Sequence, residues 1–171
     1  MRLTLVTPPA ALPVTLEDAK LHCRVVGDDE DQLIADMVDA AVSYLDGYGG
    51  VLGRCLVTQT WRADLLSLAD RISLPFPDAQ ITEMVYTDAV AGPVAWWWHE
   101  SLAMPALVPL GGMGRPASIT FTAGYGGPPQ VPAALRLAIL RLVAFWYDNR
   151  AIGGEPEGFG DVISPFRVRR V

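Results

Sequence analysis

The chain has 171 residues, 51% of them hydrophobic and only 19% charged, with a mean hydropathy of +0.27; that is enough for one domain with a real core, and a charged share below the roughly 25% of soluble domains implies apolar surface meant for other subunits. The formal charge is −6, and one lysine, Lys20, stands against twelve arginines, which argues against a broad basic face gripping nucleic acid but not against a surface that DNA passes without sticking. The most apolar run, Val131–Tyr147, spans 17 residues and contains Arg136 and Arg141, too short and too charged for the about 20 apolar residues of a membrane span.

At the N-terminus, Leu3–Val6 is a short apolar run stopped by Pro8 and Pro9. It is too brief for the core of a secretory signal, so the chain is expected to stay in the cytoplasm where it is made, with Cys23 and Cys55 as free thiols packed like small hydrophobes. The stretch "PVTLEDAKLHCR" predicts a first helix: Thr15 caps it, Asp18 completes a capping box, and Leu16, Ala19, Lys20 and Cys23 share a face. A second helix follows in "GDDEDQLIADMVDAAVSYLDGYGG", with Asp28 or Asp29 as its cap, Glu30 and Asp31 in its first turn, and Leu33, Ile34, Met37, Ala41, Tyr44, Leu45 and Tyr48 at helical spacing. Gly49 and Gly50 are expected to stop it. The acidic run is read as helix capping, because consecutive carboxylates in one turn diverge and no calcium-loop glycine accompanies them.

From Cys55 to Tyr125 the texture is that of strands. "CLVTQTWRADLL" alternates, "RISLPFP" is a short strand ended by proline, and "ITEMVYTDAVAGPVAWWW" reads as two strands around a turn near Ala91 and Gly92. "ALVPLGG" and "SITFTAGY" add two more, and successive strands with no helical period between them imply an antiparallel lobe. Pro132 then opens a long helix carrying two apolar stripes, Leu135, Ala138, Ile139, Leu142, Phe145 and Trp146 on one side and Leu137, Leu140 and Ala144 on the other. The first stripe suits the two N-terminal helices; the second calls for a further partner. Beyond Arg150, four glycines and two prolines in twenty-one residues read as an extended tail, in which Phe166, Arg167, Val168, Arg169 and Arg170 interleave aromatic, cationic and apolar groups as interface hot spots do.

Chemistry-bearing constellations are few. His22 and His99 have no neighbouring partner in sequence that makes a base or a metal ligand, and no nucleophile elbow, phosphate loop or zinc spacing occurs. "GYGG" at 124–127 reads as a turn, since it lacks a following lysine and runs into two prolines. Trp96, Trp97 and Trp98 alternate across a strand, so they divide between lobe core and subunit contact and do not form one stacking platform. An enzyme reading would have to draw on Asp64, Asp88, His99 and Glu100 converging from the β lobe.

The stretch "VTLEDAKLHCRVVGDDEDQLIADMVDAAVSYLDGYGG" resembles the opening of the head-to-tail connector proteins, or adaptors, of long-tailed phages, related prophages and gene transfer agents. Glu17, Ala19, Lys20, His22 and Arg24 fit that family's "E-x-A-K-x-H-x-R" helix. "ITFTAGYGGPPQVPAALRLAILRLVAFWYDNRA" is similar to its strand, "T-x-G-Y" turn, "V-P" start and long helix closing on an aromatic-x-x-Arg, here Tyr147 and Arg150, and "SPFRVRRV" is similar to its short C-terminal tail. The resemblance covers about half of the chain; the lobe around "WWWHE" departs from it.

Taken with the elements above, it implies an α+β fold. A small helical bundle of two N-terminal helices plus a long C-terminal one (about 14–50 and 131–150) carries an inserted antiparallel β lobe (about 55–125), making one connector domain over 1–150, with an extended tail over 151–171. It implies a structural subunit and not an enzyme, with no cofactor, metal or catalytic residue. Expected partners are copies of itself in a ring, commonly a dodecamer, the portal protein above and a downstream tail-side connector or stopper below. DNA would pass through without specific binding and no membrane would be involved. Leu137, Leu140, Ala144 and Tyr147 are then expected at the subunit interface and Phe166, Arg167, Val168, Arg169 and Arg170 at the portal. The expected location is the head-tail junction of a phage-like particle assembled in the bacterial cytoplasm, with an acidic lumen that repels phosphates. The competing readings are a small-molecule enzyme and a binding domain that forms no ring.

Overall fold

The structure, a computed structural model, describes residues 1–99, 106–150 and 153–168. The chain forms two compact units, one of Met1–Pro9 with Thr58–Gly124 and one of Ala10–Val57 with Tyr125–Val171. Helices in one and antiparallel sheets in the other make the class α+β.

The helical unit begins with α1 (Leu16–Cys23), and its capping box forms as the sequence predicts. The Thr15 hydroxyl accepts from the Asp18 N–H at 3.0 Å, while the Asp18 carboxylate accepts from the Thr15 N–H at 3.0 Å. Those bonds, the backbone one first, hold the Asp18 carboxyl below its usual range. Helix α2 (Asp31–Leu45) differs from expectation at both ends. Glu30 occupies the cap position, and no side chain closes it. The acidic residues are engaged elsewhere: Asp31 meets Lys20 at 2.5 Å, Asp28 approaches the same ammonium at 3.8 Å, and Glu30 binds Arg150 at 2.9 Å. The helix stops at Leu45, earlier than Gly49 and Gly50 suggest, because the chain turns at Gly47 (φ 77) and doubles back so that the Val51 and Leu52 N–H groups serve the Tyr44 and Leu45 carbonyls. Gly50 is needed for closeness: a Cβ there would collide with the Leu45 and Asp46 carbonyls.

Helix α3 (Ala133–Asn149) follows a 3-10 turn over Pro128–Gln130. Its buried residues Leu135, Ala138, Ile139, Leu142, Val143 and Trp146 join Ile34, Met37, Val38, Ala41 and Leu45 of α2 and Ala19 of α1 in one core. Residues 159–166, expected as extended tail, are instead structured. Gly158 (φ 70) starts α4 (Phe159–Ile163), a 3-10 turn covers Ser164–Phe166, and Phe159 and Ile163 are fully buried in the same core. The chain's own end therefore supplies part of the packing around α3, while Leu137 of the second stripe stays exposed. Trp146 Nε1 donates to the Gly154 carbonyl and Arg141 Nη2 to the Glu157 carbonyl, both at 3.1 Å.

The β unit holds a five-stranded antiparallel sheet in the order β1 (Arg2–Thr7), β2 (Gln59–Leu65), β8 (Ala117–Ala123), β4 (Gln80–Tyr86) and β5 (Gly92–Pro93). A second sheet orders β3 (Ile72–Ser73), β7 (Ala106–Pro109) and β6 (Trp96–His99). The N-terminal run is thus an edge strand, paired from Arg2 opposite Asp64 to Thr7 opposite Thr60. Central β8 buries Ala117, Ile119, Phe121 and Ala123 on one face, and Phe76 packs between Trp61 and Phe121 with ring centroids 5.4 and 6.2 Å away. The turn expected near Ala91 and Gly92 lies over residues 87–91: Gly92 pairs with Tyr86, and the Asp88 carboxylate accepts from the Val90 N–H. The tryptophan strand then joins the second sheet and not β4.

Candidate functional site

Two features of the helical unit stand out, the clamp that holds its C-terminal segment and the apolar surface that α3 leaves uncovered. The clamp has two arms. Tyr44 on α2 donates its hydroxyl to Glu155, and that bond, aided by burial, raises the phenol's pKa. On the other arm, Tyr147 of α3 donates to Glu30, and Arg150 reaches the same carboxylate with its guanidinium 5.0 Å from the Tyr147 ring. The Tyr147 hydroxyl and then Arg150 hold Glu30 below the usual carboxylate range, while the Tyr147 phenol and Arg150 are pushed up. Further along, the Val168 N–H donates to the Leu52 carbonyl at 2.8 Å, tying the chain's end to the loop after α2.

Arg150 and Arg24 are the two non-glycine residues with positive φ among those described, at 51° and 59°, each capping a helix in the left-handed conformation. An L-residue spends on the order of 1 kcal/mol there. Arg150 is compensated by Glu30 and Tyr147. Arg24 is exposed, and its side chain makes no ion pair or hydrogen bond among the described residues.

Of the residues expected at a subunit interface, Leu137 is 50% exposed, Leu140 and Ala144 are half-covered, and Tyr147 is turned into the clamp. Leu140 also lines a shallow hollow of about 420 Å³ with Asp18, Leu21, His22 and Arg24. Of those expected at the portal, Phe166 packs against the helical core, Arg167 is exposed and Val168 is half-covered; Arg169 and Arg170 lie outside the described residues. Trp96 and Trp97 are exposed and Trp98 half-covered. The sequence reading does not anticipate the Tyr44–Glu155 and Glu30–Tyr147 contacts, whose partners are 111 and 117 residues apart. The signal at hand is the spacing of Tyr147 and Arg150, which puts both on one side of α3.

Of the carboxylates that an enzyme reading would draw on, the two among the described residues are each paired with an arginine. Asp64 is held by Arg62 at 3.1 Å, and Asp88 is gripped by two Arg115 nitrogens at 2.7 Å, which lowers its pKa. The His99 side chain and Glu100 lie outside the described residues. Among the described residues no group of three or more His, Cys, Asp or Glu gathers to hold a metal, and no helix is long and apolar enough to cross a membrane. Neither Cys23 nor Cys55 is in a disulfide, and burial pushes the Cys23 thiol up. In the 124–127 turn, Gly124 and Gly126 take φ of 128° and 123°, and the Tyr125 hydroxyl accepts from Arg54.

Residues 13–89 match the family described as phage gp6-like head-tail connector protein. Among solved structures, the chain is similar to one in the neck of an empty GTA particle computed with C6 symmetry, at 26% identity and a TM-score of 0.80, covering 100% of this chain and 97% of that one. It is similar at 28% identity to a chain in the virion of a native gene transfer agent particle (TM-score 0.79) and to one in the neck of a native GTA particle computed with C12 symmetry (TM-score 0.76), each with the same coverage. No curated protein matches it in sequence.

Proposed function

We propose, from the premise that the chain is a head-tail connector of the phage and gene-transfer-agent type, that it is a subunit of a ring beneath the portal of a phage-like particle. In this reading residues 1–150 work as one connector domain, the ring joins capsid to tail, and its bore lets DNA through. The observation that carries it is the whole-chain likeness to neck chains, two of them in particles computed with C6 and C12 symmetry. A closed ring needs two different faces on each subunit, which suits a chain with excess apolar surface.

The portal contact is assigned to the chain's end, Phe166, Arg167, Val168, Arg169 and Arg170, beyond the clamp. Its test must spare the core: removing residues 161–171 also removes buried Ile163, whereas ending the chain after Phe166 leaves Phe159 and Ile163 in place. The shorter deletion is expected to keep a folded chain that purified portal no longer captures. Full capture of that variant rules out residues 167–171 as the portal contact. A tail-side connector or stopper binds the opposite side of the ring, and assembly takes place in the bacterial cytoplasm. The net charge of −6 supports a lumen that repels phosphates and so offers DNA little friction; a bore lined mainly by arginine contradicts that element.

A further inference from the structure

The two faces of the helical unit complement each other, and this inference rests on the ring reading above. On the side of α1 and α3, Leu21 is 81% exposed and Leu137 50% exposed. Beside them stands Arg24, held at positive φ without an ion-pair partner among the described residues, and Arg136, whose Nε is shielded from water with no hydrogen-bond partner. On α2, the face opposite its buried residues presents Asp36, Asp39 and Ser43 at helical spacing. Asp36 takes a hydrogen bond from Gln32 at 2.7 Å, and Asp39 has no ion pair among the described residues. The same helix face borders a mainly apolar hollow of about 410 Å³ lined by Ala40, Ser43, Tyr44, Trp146, Gly154 and Glu155.

One side thus offers apolar knobs beside the unpaired cation Arg24, and the other an apolar hollow beside the unpaired carboxylate Asp39. Within one molecule Leu21 and Arg24 line a different hollow from Tyr44 and Trp146, and Arg24 and Asp39 form no ion pair among the described residues. We propose that a second copy of this chain is the occupant: Leu21 of one subunit enters the Tyr44–Trp146 hollow of the next, and Arg24 pairs with Asp39 across the joint. Such a contact uses two different patches, so it repeats around a ring and does not close as a dimer. The strained conformation of Arg24 is then retained for a contact between subunits.

The test is made in assembled particles. In a background carrying Cys23→Ser, which removes the half-covered native thiol beside Leu21, Leu21→Cys and Ser43→Cys, both at exposed positions, are combined and treated with a short bismaleimide; a ladder of multiples of this chain is expected from the double variant and from neither single one. Particles that carry the double variant but give no ladder, or that link it to a different neck protein, overturn the proposal. The charge pair gives a second readout. Arg24→Asp and Asp39→Arg are each expected to lower incorporation about tenfold and together to restore most of it. Losses that simply accumulate in the double variant overturn the pairing. If the native chain is found outside the neck, the ring reading itself falls, whatever the cross-links show.

Discussion

The charges of the β unit and those of the helical unit are settled in different ways. In the β unit, Arg62 holds Asp64 two residues away on the same strand, and Arg115 both grips Asp88 and lies 3.6 Å from the centre of the Tyr86 ring. The helical unit uses Glu30, Tyr147 and Arg150 to tie the start of α2 to the end of α3 and Tyr44 with Glu155 to hold the segment beyond it, yet leaves Arg24 and Asp39 without ion pairs among the described residues. Exposed apolar groups differ in kind as well. Those of the β unit are scattered over loops, as Leu66, Val90 and Leu110, and strands, as Trp96 and Leu5, whereas Leu21 of the helical unit stands beside the unpaired Arg24. A surface that is both apolar and electrostatically incomplete is the better candidate for assembly.

The sharpest way to break this comparison is to cut into each unit. Phe159→Ala empties a fully buried site and is expected to cost about 3–4 kcal/mol, read as a lower urea midpoint. Trp97→Ala, at a residue 45% exposed, should cost less than about 1 kcal/mol. Equal losses mean that the tryptophan strand is core and that the β unit has been misjudged as the more self-contained surface. A smaller effect is expected from Thr15→Ala, which removes the α1 cap and should cost about 1 kcal/mol. The helical signal in circular dichroism and the melting temperature check it, and the sheet's unfolding should not move.

The mildest probe is pH. The Glu30 carboxyl sits below its ordinary range because Tyr147 and Arg150 bind its charged form. A depressed folded pKa contributes stability that is complete above the unfolded value, about 4.3, and is lost as pH falls through the folded one. Asp88 in the β unit obeys the same sign through Arg115. Glu30→Gln is therefore expected to flatten the acid side of the stability profile between about pH 5 and pH 3 and to loosen the last turn of α3 in hydrogen exchange, whereas Asp88→Asn flattens the profile without touching that turn. Identical exchange patterns in the two variants would show that Glu30 does not hold the end of α3.

What was legible in the sequence follows the range of the interactions. The α1 cap depends on Thr15 and Asp18, three residues apart, and is readable outright. The long helix is equally clear from its 3.6-residue period, as are most strands from their alternation. Sheet order is not, since pairing Arg2 with Asp64 or Gln80 with Thr122 requires contacts far apart in the chain that no local pattern encodes. The acidic run misleads because a carboxylate at a helix start is the usual cap, and here Lys20 and Arg150 compete for it more strongly. The end of the chain was misread for a different reason. Phe159, Val162, Ile163 and Phe166 follow helical spacing, but glycine and proline around them mask a stretch of little more than one turn, which only the core of α2 and α3 stabilises.

Imaging the neck of particles that carry this chain with a small internal label tests the central claim most directly. The account predicts a closed ring of labelled density directly beneath the portal, and full heads without attached tails when the chain is absent. Label found elsewhere in the particle, or normally tailed particles assembled without the chain, would contradict it.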